Sequence, residues 1–343
     1  MRNKQVTIKD LAHKLNISTS TVSRALRGEP EVHPETSKKV KELAKELNYK
    51  VNDIALSLIS KQTHTIGVVI PGYIIHFYAL ALSAIQEEAR KSGYHIIIMQ
   101  TNDSLESEIE SIEMLIHKRV DGLLVSLSSE TGSISHFEEV IKKEIPLVLF
   151  NRVNTKINVP KVAVDDFKGG YLATKHLIDQ GSKHIVHIKG PDGLKLSDHR
   201  FAGYQKALEE ANIEFNPNLV RQCDFSIESA YSAMNTILDH HQNTNLPDAV
   251  FAVCDTAAYG AIKFLREKKI KIPDEVAVIG FTDEPINMLL EPQLSSVAQP
   301  IGNIGQIAAR ELIARIKNKK LAPKDFILDI KLKIRASSNR FKN

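Results

Sequence analysis

The stretch that decides the fold of the N-terminal region is TIKDLAHKLNISTSTVSRALRG, residues 7–28. Its first part predicts an amphipathic helix, because Thr7 can act as N-cap with Asp10 in a capping-box relation. Apolar residues follow at helical spacing, at Ile8, Leu11, Ala12 and Leu15. Residues 16–18 interrupt the pattern, and Ser18 can cap a second helix that ends at about residue 27. We therefore expect two short helices joined by a three-residue turn.

The second helix has an outer face of short hydroxyls and one long cation, made by Thr19, Ser20, Thr21, Ser23 and Arg24. A third helix is predicted from Pro34, with apolar residues at helical spacing at Val40, Leu43, Ala44 and Leu47. Three such helices fit a helix-turn-helix, whose second helix enters the major groove of DNA. A generic three-helix bundle with a solvated basic face is the alternative.

The charge of the chain is concentrated at its N-terminal end. Residues 1–64 hold 12 Lys and Arg against 7 Asp and Glu, a net charge of +5, whereas residues 65–343 hold 33 against 34, a net charge of −1. A length of 343 residues, with 43% apolar and 25% charged residues, predicts two to three globular domains. No apolar run approaches the length of a membrane span, and the first residues lack the apolar core of a signal peptide. We expect a cytoplasmic protein with no membrane partner.

From Thr65 onward, short apolar runs alternate with amphipathic stretches. The runs are TIGVVI, HIIIMQ, GLLVS and LVLF, and from about residue 162 they continue with VAV, HIVHIK, AVFAV and VAVIGF. Such runs predict buried parallel strands with crossover helices, arranged as two doubly wound halves. Sheets of this kind bind ligands at the carboxyl ends of their strands, so the residues that follow each strand are the candidates.

Signatures of enzymes and metal sites are missing from the sequence. The patterns GxGxxG, GxxxxGK[ST] and GxSxG do not occur. His184 and His187 are expected to face opposite sides of one strand, and His240 and His241 are adjacent, so neither pair suits a metal. The two cysteines are too few for a disulfide framework, and Cys254 without a paired base is more typical of a buried small side chain than of a nucleophile. We expect no catalytic residue, no metal and no cofactor.

The segment 7–28, with ETSKKVKELAKELNY (35–49) and NDIALSL (52–58), resembles the DNA-binding headpiece of the lactose-repressor (LacI/GalR) family of bacterial transcription regulators. The resemblance continues over nearly the whole chain. It implies that bases are read by Thr19, Ser20 and Arg24, of which Arg24 can bind guanine O6 and N7 together. It also implies phosphate contacts, which fix register without reading sequence, by Thr7, Thr21, Ser23 and Arg27.

The same resemblance implies a hinge helix at 52–59 that orders only on operator DNA. Its minor-groove residues would be Asn52, Ala55 and Leu58, with Leu58 as an apolar wedge between base pairs. Two wedges side by side require a dimer. Val51 and Leu56 depart from the family pattern, which usually has Pro and then Arg or Gln at these positions. The alternative is that the apolar residues of this segment cover the following domain.

The remainder resembles the family's effector domain, the two-lobed fold of periplasmic sugar-binding proteins with a cleft between the lobes. The implied ligand positions are Phe77, Tyr78, Ser126, Asn151, Arg152, Arg200, Phe225, Asp255 and Asp283. Aromatic faces beside carboxylate, amide and guanidinium groups suit a polyhydroxylated ring. Cys254 and Thr282 depart from the pattern, since many relatives have Asn and Asp there. The alternatives are a surface ion pair for Arg200 and a helix N-cap for Asp255.

These inferences predict an all-α headpiece (1–50), a hinge helix and linker (51–63), and a two-lobed α/β effector-binding and dimerisation domain (64–340). The expected lobe bounds are about 64–163 with 293–322, and about 164–290 with 323–340. The expected function is that of a homodimeric transcription repressor, which binds a pseudo-palindromic operator in double-stranded DNA under the control of a small-molecule effector, a sugar or sugar derivative. A solute-binding protein without DNA function and a doubly wound enzyme with an unrecognised site are the alternatives.

Overall fold

The computed structural model of the chain describes residues 6–49, 62–72, 76–240 and 247–341. The chain divides into two compact units, residues 1–63 and residues 64–343. The positions predicted for the hinge, which are Val51, Asn52, Ala55, Leu56 and Leu58, lie outside the described residues.

The first unit contains three short helices, α1 (Ile8–Leu15), α2 (Thr19–Arg27) and α3 (Pro34–Glu46). At the start of α1 the Thr7 backbone N–H donates to Asp10 Oδ2 at 2.8 Å, and at the start of α2 the Ser18 hydroxyl accepts from the Thr21 N–H at 3.1 Å. Gly28 ends α2 in the left-handed conformation, with φ of 73°. The predicted helices and three-residue turn are confirmed. One small core joins them, made of Leu11, Ala12, Val22, Ala25, Val40 and Ala44.

The second unit contains two six-stranded sheets with helices packed on them. The first sheet is made of β1 (Thr65–Ile70), β2 (His95–Gln100), β3 (Gly122–Val125), β4 (Leu147–Phe150), β5 (Lys161–Val164) and β11 (Phe326–Leu328). Its order is β11-β5-β4-β3-β1-β2, and every pair is parallel. Its helices are α4 (His76–Lys91), α5 (Leu105–His117), α6 (Glu138–Lys142) and α11 (Ile301–Lys317).

The second sheet is made of β6 (Ile185–Lys189), β7 (Val220–Gln222), β8 (Ala249–Ala252), β9 (Ala277–Thr282), β10 (Ser295–Ala298) and β12 (Lys331–Lys333). Its order is β12-β10-β9-β8-β6-β7, with β12 antiparallel at one edge. Its helices are α7 (Asp166–Asp179), α8 (Lys195–Glu210), α9 (Ile227–His240) and α10 (Asp255–Glu267). The predicted pair of doubly wound halves is confirmed, because each sheet is parallel over its central strands and carries crossover helices.

The chain passes between the two sheets at 164–166, 298–301 and 328–331. The predicted lobe bounds are wrong at two strands. β10 was expected in the first lobe but pairs with β9 in the second sheet, where Val297 is fully buried. β11 was expected in the second lobe but pairs with β5 in the first sheet. β11 pairs with a strand that is remote in sequence, whereas β10 lies between β9 and β12 in the second sheet.

Helices α7 and α8 cross at a contact that requires glycine on both. A Cβ atom at Gly170 would lie 2.1 Å from the Arg200 carbonyl oxygen, and one at Gly203 would lie 2.2 Å from the Phe167 carbonyl oxygen. Such distances are far inside van der Waals contact, so both positions exclude a larger side chain. The close approach fixes where the Arg200 side chain leaves α8. None of the described helices is long and apolar enough to cross a bilayer.

Candidate DNA interface and ligand cleft

Helix α2 presents one exposed polar face and one buried apolar face. Thr19, Ser20 and Arg24 are exposed, whereas Val22 and Ala25 are fully buried on the opposite side. The Ser18 hydroxyl lies 2.7 Å from the Ser20 hydroxyl and 2.8 Å from that of Thr21, so these groups line the start of the helix together. Of the other residues predicted to contact DNA, Thr7 is exposed and Thr21 and Ser23 are half-buried; the side chain of Arg27 is outside the described part.

The guanidinium of Arg24 is held loosely by two glutamates. Its Nε lies 3.7 Å from Glu29 and its Nη1 lies 3.4 Å from Glu31, and 52% of the side chain is exposed. Exposed ion pairs of this kind are worth only about 0.2–1 kcal/mol. Arg24 can therefore exchange these carboxylates for the edge of a guanine at small cost.

In the second unit a cavity of about 250 Å³ opens between residues of the two sheets. Its lining is made of His76, Phe77, Tyr78, Asn151, Arg152, Leu196, Arg200, Phe225, Cys254, Thr256, Thr282, Glu284 and Gln299. The structure thus brings together six of the nine positions predicted to bind an effector. The other three, Ser126, Asp255 and Asp283, are not part of the lining.

Tyr78 is held in place by two polar partners. It lies in the first turn of α4, its hydroxyl is 2.8 Å from that of Ser126, and it accepts a hydrogen bond from Asn151 Nδ2 at 3.1 Å. Burial raises the pKa of the Tyr78 phenol, which therefore stays neutral at ordinary pH. Ser126 is fully buried and acts on the cavity through Tyr78.

Arg200 is buried in an ion pair, so the surface ion pair considered as its alternative is wrong. Its Nε and Nη2 donate to Asp166 Oδ1 at 2.9 and 2.7 Å, and its Nη1 donates to the Val253 carbonyl at 2.6 Å. The guanidinium carbon lies 3.5 Å from the centre of the Phe281 ring. Burial raises the pKa of the Asp166 carboxyl, and the ion pair with Arg200 opposes that rise.

Arg152 and Phe225 meet across the cavity from the two sheets. Arg152 Nη1 donates to Asp103 Oδ1 at 2.6 Å, and its guanidinium lies 5.0 Å from the centre of the Phe225 ring. The Phe225 ring packs against Gly190, where a Cβ atom would lie 2.7 Å from its Cζ. Phe225 has φ of 71°, so a non-glycine residue is held in the left-handed region to direct an aromatic ring at the cavity.

Asp255 does not line the cavity, contrary to the prediction, because both of its carboxylate oxygens accept hydrogen bonds inside the second lobe. Its Oδ1 accepts from the Ser296 hydroxyl at 2.6 Å, and its Oδ2 accepts from the Glu284 N–H at 2.8 Å and from Asn287 Nδ2 at 2.9 Å. Burial raises its pKa to about 6. The N-cap alternative is also wrong, since the side chain that caps α10 is that of Cys254.

Asp283 is also turned away from the cavity. Its carboxylate pairs with Arg335 Nη1 at 2.7 Å, and its N–H donates to the Ser296 hydroxyl at 3.0 Å. The neighbouring Thr282 and Glu284 face the cavity instead. The carboxylate that faces the cavity after β9 is therefore that of Glu284, one residue later than the predicted Asp283.

Several lining residues were not predicted from the sequence, namely His76, Leu196, Thr256, Glu284 and Gln299. All follow strand ends or begin helices, so the rule that ligands meet the carboxyl ends of strands would have included them in a longer list. Two further lining residues, Cys254 and Thr282, are the ones that depart from the family pattern.

Two of the remaining candidates for chemistry, His187 and Cys223, are buried, and His241 lies outside the described residues. His184 precedes β6, while His187 is fully buried, with its Nδ1 3.0 Å from the Phe251 carbonyl and its pKa lowered to about 3 by burial. Burial also raises the pKa of both cysteine thiols, that of Cys223 to about 12. Within the described ranges, no group of three or more His, Cys, Asp or Glu could hold a metal ion.

Comparison with protein families matches both units. Residues 7–52 match a family described as bacterial regulatory proteins of the lacI family, and residues 174–338 match a periplasmic binding protein-like domain. Among solved structures, a complex of the transcriptional regulator CelR with cellobiose has a TM-score of 0.73 and 29% identity, covering 97% of this chain and 100% of the other. A lac repressor dimer bound to operator has a TM-score of 0.87 at 23% identity, covering 98% and 99%, and shows the fold.

Curated relatives match over nearly the full length. The ribose operon repressor of Halalkalibacterium halodurans is 32% identical over 337 residues, which cover 98% of this chain and 98% of the relative. The transcriptional repressor PurR of Aliivibrio fischeri is 33% identical over 337 residues, covering 98% and 99%. The chain therefore belongs to the LacI family of bacterial transcription regulators, whose members are not enzymes.

Proposed function

We propose that this regulator is a cytoplasmic, homodimeric repressor, and that a sugar-like effector in the cleft of its second unit controls its affinity for a pseudo-palindromic operator. The observation that carries the proposal is the cavity between the two sheets. Its walls combine the rings of Phe77, Tyr78 and Phe225 with the amide of Asn151 and the guanidinium of Arg200. Aromatic faces suit the C–H faces of a sugar ring, and the polar groups suit its hydroxyls.

The relatives support the same class of ligand. The similar structures include a regulator complexed with cellobiose and a LacI family regulator from Enterococcus faecium with bound ribose, which is 25% identical with a TM-score of 0.70 and covers 81% of this chain and 100% of the other. Two curated relatives are named as repressors of a ribose operon. We extend this ligand class, and the operator-bound dimer of the lac repressor, to this chain as part of the proposal.

On the DNA side, α2 would enter the major groove, with Thr19, Ser20 and Arg24 reading bases. Thr7, Thr21, Ser23 and Arg27 would contact phosphates, and Asn52, Ala55 and Leu58 would serve the hinge. The domain roles follow: headpiece at 1–50, hinge and linker at 51–63, and effector and dimerisation domain at 64–340. The exposed hydroxyls and the loosely paired Arg24 on α2 support this assignment.

The cleft can respond to a ligand because the chain crosses between the sheets at three places, around 165, 299 and 329. Closure about these crossings would bring Arg152 and Phe225 around the ligand. Any resulting change in operator affinity is reciprocal, so DNA must change effector affinity by the same factor.

The DNA function is tested by selection from a random double-stranded library with the full chain, followed by fluorescence anisotropy on the selected sequence. We expect a two-fold symmetric site whose affinity falls steeply with salt. Arg24→Ala should lose about 1–3 kcal/mol of preference at one base pair in each half-site. Lys183→Ala, an exposed cation of the second unit, is the control and should change neither affinity nor preference. Recovery of sequences without symmetry would contradict the proposal.

The effector function is tested by thermal unfolding in the presence of ribose, cellobiose and related sugars. A ligand at about 100 times its dissociation constant adds about 2.7 kcal/mol to stability. The sugar that stabilises the protein should also change operator affinity, and Asn151→Ala should reduce both effects. A sugar that stabilises the protein without changing operator affinity would refute effector control.

A further inference from the structure

The two arginines of the cavity are already neutralised. Arg152 forms an ion pair with Asp103 at 2.6 Å, and Arg200 forms one with Asp166 at 2.7 Å. The third guanidinium nitrogen of Arg200, Nη1, donates a hydrogen bond to the Val253 carbonyl. A phosphate or carboxylate on a ligand would therefore meet guanidinium groups whose charge a protein carboxylate already offsets. The cavity contains guanidinium groups, but its ion pairs do not favour an anion.

At the end of β9 the cavity wall carries a carboxylate instead, that of Glu284. Glu284 lines the cavity and is half-buried, and its Oε2 accepts a hydrogen bond from the Tyr259 hydroxyl at 3.2 Å. Among the described residues no Lys, Arg or His forms an ion pair with Glu284 or with Asp255, whose carboxylate binds the Glu284 N–H. The Tyr259 hydroxyl also lies 2.7 Å from Asn287 Oδ1, so its single proton is shared between two acceptors.

A second acceptor belongs to Gln299, which lines the same cavity beside Thr282. Gln299 lies at the crossing from β10 to α11, and its Nε2 donates to the Thr282 hydroxyl at 3.4 Å. Its Oε1 is buried and has no hydrogen-bond partner within the described part of the chain. A buried acceptor left without a donor is costly, so a ligand that supplies one gains affinity.

We propose that Glu284 is a specificity-determining residue of this cleft, and that the effector is a polyhydroxylated molecule without an anionic group, which donates hydrogen bonds to the Glu284 carboxylate and the Gln299 carbonyl. The inference rests on the proposed function, in which the cleft is the effector site. Thr282 provides only a hydroxyl at the position where the family pattern has Asp, and Glu284 provides the carboxylate two residues later. The donor is either a hydroxyl pair or an ammonium group, which share this chemistry.

The test is calorimetric titration of the full chain with matched probes: ribose and ribose 5-phosphate, glucose, glucosamine, glucose 6-phosphate and glucuronate, and cellobiose. We expect binding by a neutral or aminated sugar and weaker binding by its phosphorylated or acidic counterpart. Glu284→Gln keeps the shape and removes the charge, and should raise the dissociation constant about tenfold or more. Glu214→Gln, an exposed glutamate outside the cavity lining, is the matched control and should leave it unchanged.

The comparison of glucosamine with glucose distinguishes the two donors, because Glu284→Gln weakens an ammonium contact more than a hydroxyl contact. The inference is overturned while the proposed function stands if a sugar phosphate or sugar acid binds more tightly than its neutral parent, or if Glu284→Gln changes the dissociation constant less than twofold. Absence of binding by every probe would remove the proposed function and this inference together. Retained thermal stability of Glu284→Gln shows that a loss of binding is not a loss of fold.

Discussion

Removal of one partner from the buried ion pair between Arg200 and Asp166 should destabilise the second lobe. Arg200 is 3% exposed and Asp166 is 7% exposed, and two guanidinium nitrogens share one carboxylate oxygen. Asp166→Asn removes the charge with little change in volume and leaves the guanidinium buried without a counter-charge. Breaking a buried pair from one side costs about 3–5 kcal/mol.

For Asp166→Asn the expected loss in free energy of unfolding lies at the lower end of that range. Arg200 keeps its bond to the Val253 carbonyl and its contact with the Phe281 ring, and an Asn oxygen can still accept one hydrogen bond. Burial raises the pKa of Asp166, because desolvation of the carboxylate opposes the Coulomb attraction of Arg200. We therefore expect a loss of about 3 kcal/mol. At about 2–4 °C per kcal/mol, the midpoint of thermal unfolding should fall by about 6–12 °C.

The measurement is thermal unfolding by circular dichroism at neutral pH, with Asp179→Asn as the matched control. Asp179 pairs with Lys175 at 2.9 Å on the surface of α7, where both side chains are about half exposed, so its loss should move the midpoint by less than about 2 °C. Inorganic phosphate should stabilise Asp166→Asn more than the wild type, because the freed guanidinium can bind it. If the two variants unfold at the same midpoint, or if phosphate stabilises Asp166→Asn no more than the wild type, then Asp166 does not stabilise the fold by neutralising the buried Arg200 guanidinium.

Three further predictions concern other parts of the molecule. Glu31→Gln removes one carboxylate from Arg24 and should raise operator affinity about twofold at low salt in anisotropy titrations; an unchanged affinity would mean that the pair does not compete with DNA. The pKa of Asp255 is raised to about 6, so its contribution to stability is present at low pH and is lost as pH rises through 6. Between pH 5 and 7.5 the wild type should lose roughly 1.4 kcal/mol relative to Asp255→Asn in urea unfolding, and parallel pH profiles would contradict this. Gly203→Ala should force α7 and α8 apart and lower the thermal midpoint, whereas Gly132→Ala, in open space, should not.

The sequence predicts the parts of this fold that depend on neighbouring residues. The N-caps Thr7 and Ser18 and the helical spacing of apolar residues determine α1 and α2 locally, and apolar runs mark the buried strands. β11 joins the first sheet through β5, which is far along the chain, and β10 joins the second sheet between β9 and β12. No local pattern encodes either choice of sheet.

The candidate cleft could be predicted as a region but not residue by residue. Strand ends identified the correct neighbourhood, yet after β9 the backbone takes positive φ at Thr282 (128°) and Asp283 (63°). This irregular turn directs Asp283 to Arg335 and Glu284 to the cavity. Side-chain direction beyond a regular strand depends on backbone angles that alternation does not supply.

Two helices that begin at the cavity pack along each other, and this connects ligand contacts to the rest of the first lobe. Helix α4 begins at His76 and carries Phe77 and Tyr78 into the cavity, while α11 begins at Ile301, two residues after Gln299. A Cβ atom at Gly305 of α11 would lie 2.4 Å from the Ala81 carbonyl oxygen of α4, so the backbones of the two helices are in close contact there. A ligand that bonds to Gln299 and packs on Phe77 therefore acts on both helices together. It changes their arrangement only to the extent that it binds one arrangement more tightly than another.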